Sequence, residues 1–410
     1  LIFLFSIGAL CYNGHAKFST TRMEREPMGE PKRGTKPNHM KTSNQKLVLD
    51  LIRRHQLPRS EIARITQLSK ATVTLIVDDL ISQGLVQEEQ RLDSGATGRH
   101  PVQLRIAGDS RVIFSVCILR EGLRMGLVSL DGAVLCERRF SVQTSPEQTL
   151  RIARQQLAQW MAQRALQPSQ ILGTGIIAPG PLQYREGVLL NPSDMPQWHN
   201  LPVTNLFANA LQYPAMLERD TNALALEEQY FGQAQNLGNF MVLQTDVGVG
   251  SGIVIDSLLY RGATGMSSEI GHMSIAFDGV PCSCGSRGCL ERYVSLPALL
   301  EGTPFSSWEA LAQAADGGDP AARERVEHAA RCLAMAIVNA FNLFDLEKVF
   351  LTGALSAHCK RLMQNINAQV QMGRFVRPEQ GSQPVLPSAL SYGVRTGAMP
   401  VIHAFYHDQR

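Results

Sequence analysis

Apolar residues recur at helical spacing soon after residue 42. The segment "SNQKLVLDLIRRH" places its large apolar residues at positions 47, 48, 51 and 52, behind a Ser/Asn cap. Two further helices are predicted over Ser60–Thr66 and Lys70–Ser82, the second capped by Ser69 and ended by Gly84. A strand, a polar Gly-rich loop and a second strand follow. The pattern predicts three helices and a β-wing over residues 41–105.

Strands and helices alternate from Ile106 onward. Three consecutive strands are predicted, with turns at Glu121–Gly122 and Asp131–Gly132, and the amphipathic helix "PEQTLRIARQQLAQWMAQRAL" follows them. Strands are then predicted in "ILGTGIIAPGPL", in both arms of "NFMVLQTDVGVGSGIVIDSLLYRG" and in "KVFLTGAL". A helix is predicted in "RCLAMAIVNAFNLFD". This alternation predicts an α/β domain with mixed sheets, in which two halves of similar order are conceivable.

The first 40 residues lack such a pattern. "RMEREPMGEPKRGTKPNHM" is rich in Pro, Gly and charge, and we expect residues 22–40 to be disordered. "LIFLFSIGAL" is apolar but only about half as long as a membrane span, and no basic segment precedes it. We interpret residues 1–22 as translated upstream sequence, with an N-terminal anchor as the alternative. Membrane insertion is not expected.

Composition narrows the class of protein. The 410 residues are 44% hydrophobic and 18% charged, as in a globular protein with a sizeable core. The net charge is +3, yet residues 1–105 carry 16 Lys and Arg against 10 Asp and Glu, which favours an anionic partner for this part. Eight cysteines do not make a disulfide scaffold, and five of them are scattered singly. We therefore expect a reducing, cytoplasmic location.

The front segment predicts a DNA-binding module. In a winged helix-turn-helix the second helix of the pair lies in the major groove, and short polar or basic residues at its start suit phosphates and base edges. A three-helix protein-interaction module is the alternative. The candidate DNA-binding residues are Ser69, Lys70, Thr72, Thr74 and, in the wing, Arg99 with His100 beside it.

A second candidate site is the stretch "GHMSIAFDGVPCSCGSRGCLERY". His272, Cys282, Cys284 and Cys289 form a complete set of four ligands for tetrahedral zinc. Four protein ligands leave no open position, so this zinc would be structural. A Cys282–Cys289 disulfide and unligated thiols are the alternatives, and a cytoplasmic location disfavours the disulfide.

Two carboxylates flank this cluster. Glu269 lies three residues before His272, and Glu291 lies two residues after Cys289. A metal-held loop would fix both carboxylates, which suits them to accept hydrogen bonds from sugar hydroxyls. A solvated surface position is the alternative for either residue taken alone.

The same stretch resembles the zinc- and sugar-binding signature of the ROK family (repressor, open reading frame, kinase). Glu-x-Gly-His followed by Cys-x-Cys-Gly-x-x-Gly-Cys-x-Glu is a highly specific string, and the resemblance covers about residues 43–410. With the module in front, the chain is similar to the repressor branch of the family. The resemblance implies an actin-like, two-lobed α/β fold of the ribonuclease-H type shared by sugar kinases and Hsp70. Lobe 1 would span residues 106–205, completed by about 390–410, and lobe 2 with the zinc site residues 206–390.

The resemblance also assigns roles to single residues. It places Glu269, His272 and Glu291 opposite sugar hydroxyls, with His272 also serving zinc. "ERDTNALALEE" places the family's catalytic base on Asp220, preceded by Arg219 where the family has Asn. "NPSDMPQW" puts Asp194 where a sugar-binding Asn is usual. The two departures indicate either a charged ligand or pairing of the cation with the anion.

Sugar kinase activity is not expected. The first phosphate-binding turn of the family, Asp-x-Gly-Gly-Thr, is replaced by "SVCILREGLRMGLV", with Leu119 and Arg120 where the backbone must approach phosphate. In the second loop Asp246 adds a carboxylate that would repel phosphate. The remaining glycines of that loop, Gly248, Gly250 and Gly252, are interpreted as a tight hairpin turn. Asp220 would then be a vestigial base that still accepts from a sugar.

These observations together predict a sugar-responsive transcriptional regulator, most simply a repressor of carbohydrate genes. A homodimer or homotetramer would place recognition helices on a palindromic operator. Two alternatives stay open: a regulator controlled by a protein partner, and a DNA-tethered sugar kinase. Structural zinc is the expected cofactor, and double-stranded DNA and a sugar or sugar derivative are the expected partners.

Overall fold

The computed structural model describes residues 37–89, 102–140, 145–357, 359–375 and 382–407. The chain divides into two units, Leu1–Thr42 and Ser43–Arg410. Within the first unit only the start of a helix is described. That helix begins at Pro37, so the predicted disorder of residues 22–40 is wrong for residues 37–40. Proline is favoured in the first turn of a helix, where its missing N–H costs nothing. Residues 22–36 and the predicted upstream segment lie outside the described residues.

The front module has the predicted order of elements. Its elements are α1 (Pro37–His55), α2 (Arg59–Thr66), α3 (Lys70–Ser82), β1 (Val86–Glu89) and β2 (Gln103–Ile106). Helix α2 begins one residue earlier than predicted, and α3 has the predicted bounds. Gln67 adopts a left-handed conformation with φ of 58°, which makes the tight turn between α2 and α3. Strands β1 and β2 pair antiparallel as the two arms of the wing. The winged helix-turn-helix prediction is confirmed.

The first large sheet follows the front module. Its region contains β3 (Val112–Leu119), β4 (Gly122–Ser129), β5 (Val134–Phe140), α4 (Pro146–Gln163), β6 (Ile171–Ala178), β7 (Leu182–Gln183), β8 (Val188–Leu189), α5 (Val203–Leu211) and β9 (Ala215–Arg219). The strand order is β5-β4-β3-β6-β9, with β3, β6 and β9 parallel. Strand β9 lies beyond residue 205, where lobe 1 was predicted to end, because its residues pair with β6.

The second large sheet repeats this arrangement. The remaining elements are α6 (Asp220–Phe231), β10 (Phe240–Thr245), β11 (Val249–Ile255), β12 (Leu258–Leu259), α7 (Glu291–Val294), α8 (Leu296–Leu300), α9 (Trp308–Gly317), α10 (Pro320–Phe344), β13 (Lys348–Gly353), α11 (Lys360–Gly373), β14 (Val385–Pro387) and α12 (Val394–Tyr406). The strand order is β12-β11-β10-β13-β14, again with three antiparallel strands followed by two parallel additions. Two sheets of equal order confirm the two-lobed α/β prediction.

Two helices connect the sheets. Helix α6 contacts β9 of the first sheet and β10 and β11 of the second, and α12 packs on α6, β3 and β6. Every residue of α6 from Asp220 to Tyr230 is buried, which suits a helix enclosed on all sides. One apolar core extends from α1–α3 through these two helices. Among the described residues, no helix combines the length and the apolar character needed to cross a bilayer.

Candidate functional site

An ion pair joins the ends of two distant segments at the start of α6. Arg219 ends β9, and its Nη1 lies 2.6 Å from Glu269 Oε1. Its Nη2 donates to the carbonyl of Ser251 at 2.7 Å and to Asn222 Oδ1 at 3.2 Å. The Arg219 side chain is 4% exposed and that of Glu269 is 40% exposed. The arginine that departs from the family pattern therefore pairs with the glutamate of the Glu-x-Gly-His motif.

Asp220 is the first residue of α6 and is buried. Its Oδ1 accepts from the backbone N–H of Thr221 at 2.7 Å. Burial raises the pKa of Asp220 to about 6, although the Thr221 amide and the guanidinium groups of Arg219 and Arg120 act in the opposite direction. Asp220 thus lies in the electrostatic environment of the Arg219–Glu269 pair.

Glu291 lies at the second glycine-rich loop. Its Oε2 accepts from the backbone N–H of Val249 at 2.9 Å. A side-chain carbon placed on Gly248 would lie 3.3 Å from both Arg120 Nη1 and Glu291 Oε2. The Arg120 guanidinium, from the β3–β4 turn of the first sheet, therefore reaches the loop that leads into β11 of the second.

Gly250 and Gly252 correct the interpretation of that loop. Both lie within strand β11 rather than in the turn. A side-chain carbon on Gly252 would lie 2.5 Å from the carbonyl oxygen of Thr221, and one on Gly250 would lie 2.9 Å from Thr221 Cγ2. These two glycines are required because α6 packs directly on the strand.

The four predicted metal ligands come together. The ligand atoms of His272, Cys282, Cys284 and Cys289 all lie within 4.8 Å of one another, so the group could hold a metal ion. His272 Nδ1 lies 3.7 Å from Cys282 Sγ, and Cys284 Sγ lies 3.6 Å from Cys289 Sγ. Two sulfur ligands of a tetrahedral zinc, each about 2.3 Å from the metal, are roughly 3.8 Å apart. The spacing fits such an ion, and the three cysteines are not joined by disulfides.

Backbone geometry holds the cluster next to the carboxylates. A 3-10 turn, Ile270–His272, directly follows Glu269, and the amide of His272 donates to the Glu269 carbonyl at 3.0 Å. On the other side, Cys289 pairs with Ser274 in a β-bridge just before Glu291 begins α7. Burial alone would raise the pKa of the Cys282 thiol, but hydrogen bonds from Cys284, His272 and Cys289 lower that pKa to about 7. A thiolate, the form that binds metal, is therefore accessible near neutral pH.

Asp194 occupies an exposed loop. It precedes the 3-10 turn Pro196–Trp198 and adopts a left-handed conformation with φ of 63°. Aspartate is one of the few residues that tolerate this region. A sugar-binding role for Asp194 stays a prediction.

The start of α3 presents a polar, basic surface. Ser69 caps the helix, because its Oγ accepts from the N–H of Thr72 at 3.0 Å and lies 2.8 Å from Thr72 Oγ1. Thr74 Oγ1 donates to the carbonyl of Lys70 at 2.9 Å. The first turn carries no acidic residue, and Lys70 is exposed. The positive end of the helix and Lys70 together suit a phosphate. Arg99 and His100 lie outside the described residues.

The front module meets the body of the protein at α1. The guanidinium of Arg53 lies 4.0 Å from the centroid of the Tyr230 ring and 5.3 Å from that of Tyr406. Arg53 Nη1 also donates to the Tyr230 carbonyl at 3.3 Å, and Asp50 pairs with both Arg53 and Arg54 at 2.8 Å. Tyr230 is in the last turn of α6, whose first residue is Asp220. One buried helix therefore runs from the Arg219–Glu269 pair to the front module.

Several residues of the site escaped sequence reasoning. Buried Glu218 accepts from Arg261 at 2.8 Å and from the Arg219 amide at 2.9 Å. Half-buried Tyr392 lies within electrostatic range of Asp220 and Arg120. On α3, Leu75 is 72% exposed although it is apolar. Of these residues, only Leu75 could have been found from the sequence, because the helical spacing of α3 places position 75 on the solvent-facing side.

Comparison with known proteins assigns the two parts. Residues 116–400 match the ROK family. The chain belongs to the ROK family. Residues 41–99 match the MarR family, which fits the winged helix-turn-helix in front.

Similar proteins include repressors. The chain is 28% identical over 362 residues to the "Xylose repressor" of Caldicellulosiruptor bescii, a match that covers 83% of this chain and 90% of that protein. It is 26% identical over 362 residues to the "DNA-binding transcriptional dual regulator NagC" of Escherichia coli strain K12, covering 84% and 88% of the two chains.

Solved structures agree with this ROK assignment. A crystal structure of a ROK family transcriptional regulator, described as a homolog of the E. coli MLC protein, superposes with a TM-score of 0.75 at 26% identity and covers 90% of this chain and 97% of that one. The ROK hexokinase of Thermus thermophilus superposes with a TM-score of 0.61 at 23% identity over 71% and 96% of the two chains. The hexokinase likeness shows the shared fold of the ROK part.

Proposed function

We propose that this ROK family protein is a DNA-binding transcriptional repressor that responds to a sugar or sugar derivative. The observation that supports this most directly is the buried helix α6, which has the candidate sugar site at its first residue and the DNA-binding module at its last turn. A kinase has no need of a winged helix-turn-helix packed on the end of that helix. The repressors among its relatives support the same proposal.

The DNA contact is assigned to the start of α3. Lys70 and the helix N-terminus would bind backbone phosphates, which position the helix, while exposed Leu75 would touch a thymine methyl group in the major groove. Arg99 in the wing is a further proposed contact. A homodimer would present two such helices to a palindromic operator.

The effector site is assigned to Asp220, Glu269 and Glu291, with Asp194 as a further proposed contact. These side chains accept hydrogen bonds, and sugars offer several hydroxyl donors in fixed directions. Zinc is the proposed metal of the His272/Cys282/Cys284/Cys289 cluster, because one imidazole and three thiolates at tetrahedral spacing are its preferred set. A zinc held by four protein ligands supplies structural support, and the loop that carries Glu269 and Glu291 is the part it would support.

Phosphoryl transfer is not part of the proposal. The guanidinium of Arg120 lies against Gly248, in the loop where a kinase of this fold cradles phosphate. Asp246 adds a carboxylate to the same loop, and burial raises its pKa. Without a bound donor, Asp220 has no proton transfer to serve. We expect neither turnover of ATP nor stabilisation by it.

Effector binding and DNA release would be coupled by the ligand's different affinity for two conformations. Helix α6 is the proposed route. A change at the Arg219–Glu269 pair would move its first turn, and Arg53 would carry the movement to α1. If no sugar binds, control by a protein partner is the alternative.

A thermal-shift scan followed by DNA binding tests the proposal. The zinc-replete protein is scanned against D-xylose, D-glucose, N-acetyl-D-glucosamine and their phosphates, each with and without Mg-ATP. A ligand at about 100 times its Kd stabilises by roughly 2.7 kcal/mol, which is a clear shift. Fragments enriched from a random DNA library then report whether the same ligand weakens DNA binding. Stabilisation that requires ATP, or ATP turnover, would contradict the proposal.

A further inference from the structure

We propose that Arg219 is a positioning residue for the effector, and that through Glu269 it selects ligands with a free hydroxyl at this position. The inference rests on the proposed function, because it concerns the same site. It concerns this chain in particular, since Arg219 stands where the family motif has an asparagine.

The geometry separates the two oxygens of Glu269. Oε1 accepts from Arg219 Nη1 at 2.6 Å, whereas Oε2 accepts no hydrogen bond from any of the described residues. The Glu269 side chain is 40% exposed, so this second oxygen remains open to a ligand. One oxygen is therefore held by the protein and the other is available.

The buried Arg219 side chain is placed to hold Glu269 and not to contact the ligand itself. Its side chain is 4% exposed, and its Nη2 is fixed by the Ser251 carbonyl and by Asn222. Its aliphatic stem passes below the turn at Gly180, where a side-chain carbon would lie 3.3 Å from Arg219 Cδ. A guanidinium anchored at both its stem and its Nη2 leaves one direction for Nη1, and Glu269 lies in that direction. Arg219 therefore acts on the ligand through Glu269.

An ionised carboxylate accepts hydrogen bonds and donates none. With Oε1 occupied, Glu269 offers one acceptor to the ligand, and a hydroxyl is its complement. A sugar lacking that hydroxyl leaves the acceptor desolvated and unpaired, and an O-methyl ether adds bulk without a donor. A ligand carboxylate at the same position would face a like charge. The effector class is therefore a sugar with a free hydroxyl at the position that faces Glu269.

A double-mutant cycle tests the positioning role. The Kd of the probe sugar that stabilises the wild type is measured by calorimetry for R219Q, E269Q, the double variant and R219K. We expect R219Q to weaken binding roughly tenfold, R219K to recover part of that loss, and the double variant to match E269Q alone. Arg395→Gln is the control, because it also removes an arginine from an ion pair with a glutamate, here Glu227 at 2.8 Å, outside the proposed site. It should leave the Kd unchanged.

The monodeoxy and mono-O-methyl derivatives of the same sugar test the selectivity. The derivatives modified at one hydroxyl position should bind the wild type roughly 10- to 100-fold more weakly than the parent sugar does. This difference in affinity should be smaller in R219Q. An unchanged Kd in R219Q, or equal losses for R219Q with and without E269Q, would overturn the positioning role. Derivatives that all bind like the parent sugar would overturn the hydroxyl requirement. Failure of the wild type to bind any probe sugar would overturn the proposed function and this inference with it.

Discussion

Arg53 of the first helix and Tyr230 of the sixth form a buried contact, with the guanidinium 4.0 Å from the ring centroid and 3.3 Å from the tyrosine carbonyl oxygen. The two residues are 177 positions apart in the chain. The Arg53 side chain is 6% exposed, so solvent does not weaken the contact. It is the point at which the end of α6 meets the DNA-binding module.

Arg53→Gln should leave sugar binding intact and reduce its effect on DNA affinity. Asp50 keeps its ion pair with Arg54 at 2.8 Å, so the change leaves no buried charge alone. We expect the sugar Kd and the DNA Kd to stay within about twofold of wild type, while the sugar-dependent loss of DNA affinity shrinks at least severalfold. Fluorescence anisotropy with labelled operator at increasing sugar concentration measures this. Arg54→Gln is the control, and an undiminished sugar response in R53Q would contradict the proposed route.

Lys70→Glu should weaken DNA binding in a salt-dependent manner. Loss of a phosphate contact removes about one released counterion, so the slope of log K against log salt should fall by about 1. The affinity loss should be similar for related and unrelated sequences, because a phosphate contact carries no sequence information. Lys360→Glu, the same charge change at the start of α11, serves as the control. Equal DNA affinities for K70E and K360E would exclude Lys70 as a phosphate contact.

Cys282→Ser should release the metal. The variant removes one of the four metal ligands. Serine is close to cysteine in size, so it should fit the half-buried loop position. We expect zinc measured by inductively coupled plasma mass spectrometry to fall from about one ion per chain to a small fraction of that. Sugar affinity should fall too, since Glu269 and Glu291 flank the cluster. Cys136→Ser, a free cysteine outside the cluster, is the control. Full zinc content in C282S would refute the assignment.

Asp220 should make stability depend on pH. Its pKa is about 6 in the folded protein against 3.8 for an ordinary aspartate side chain, so the folded state holds this proton more tightly than the unfolded state does. Its contribution therefore favours folding at low pH and is lost as the pH rises through about 6. Relative to Asp220→Asn, the wild type should lose up to about 3 kcal/mol of unfolding free energy between about pH 4 and pH 7.

Urea unfolding of both proteins across this range measures the difference. The groups that face Asp220 are the cations Arg219 and Arg120, the carboxylate of Glu269 and the Tyr392 hydroxyl, and all four are unchanged in the variant. Asp316→Asn, the same change at an exposed position, serves as the control. A pH profile of D220N parallel to that of the wild type would show that Asp220 ionises freely.

Short-range signals in the sequence predicted much of this molecule. The cap at Ser69 and the spacing of His272 and the three cysteines depend on residues close together in the chain, and the structure has both. The alternation of strands and helices along the chain predicted the α/β lobes. The predicted end of lobe 1 at residue 205 was wrong, because β9 belongs to the first sheet. Strand β9 has only five residues, and its membership of the first sheet depends on pairing with β6.

Long-range contacts could not be predicted in the same way. The sequence offered two explanations for Arg219, a charged ligand or pairing with Asp194, and neither named Glu269. The pair joins residues 50 positions apart through two different segments, and only the three-dimensional path of β9 and β11 brings them together. The Arg53–Tyr230 contact is even harder to predict from the sequence, since neither residue belongs to a motif.

Because α6 packs closely on β11, the glycines of that strand are no guide to whether a chain of this family binds a nucleotide. Gly250 and Gly252 have no room for a side chain because the backbone and side chain of Thr221 lie against them. Substitution of either glycine would therefore disturb this packing whether or not the chain binds a nucleotide. A survey that sorted ROK proteins into enzymes and sensors by the glycines of this segment alone would place this one among the enzymes. Positions 120 and 246 are the better guide in this chain, because the Arg120 side chain fills the space beside Gly248 and Asp246 adds a carboxylate to the same loop.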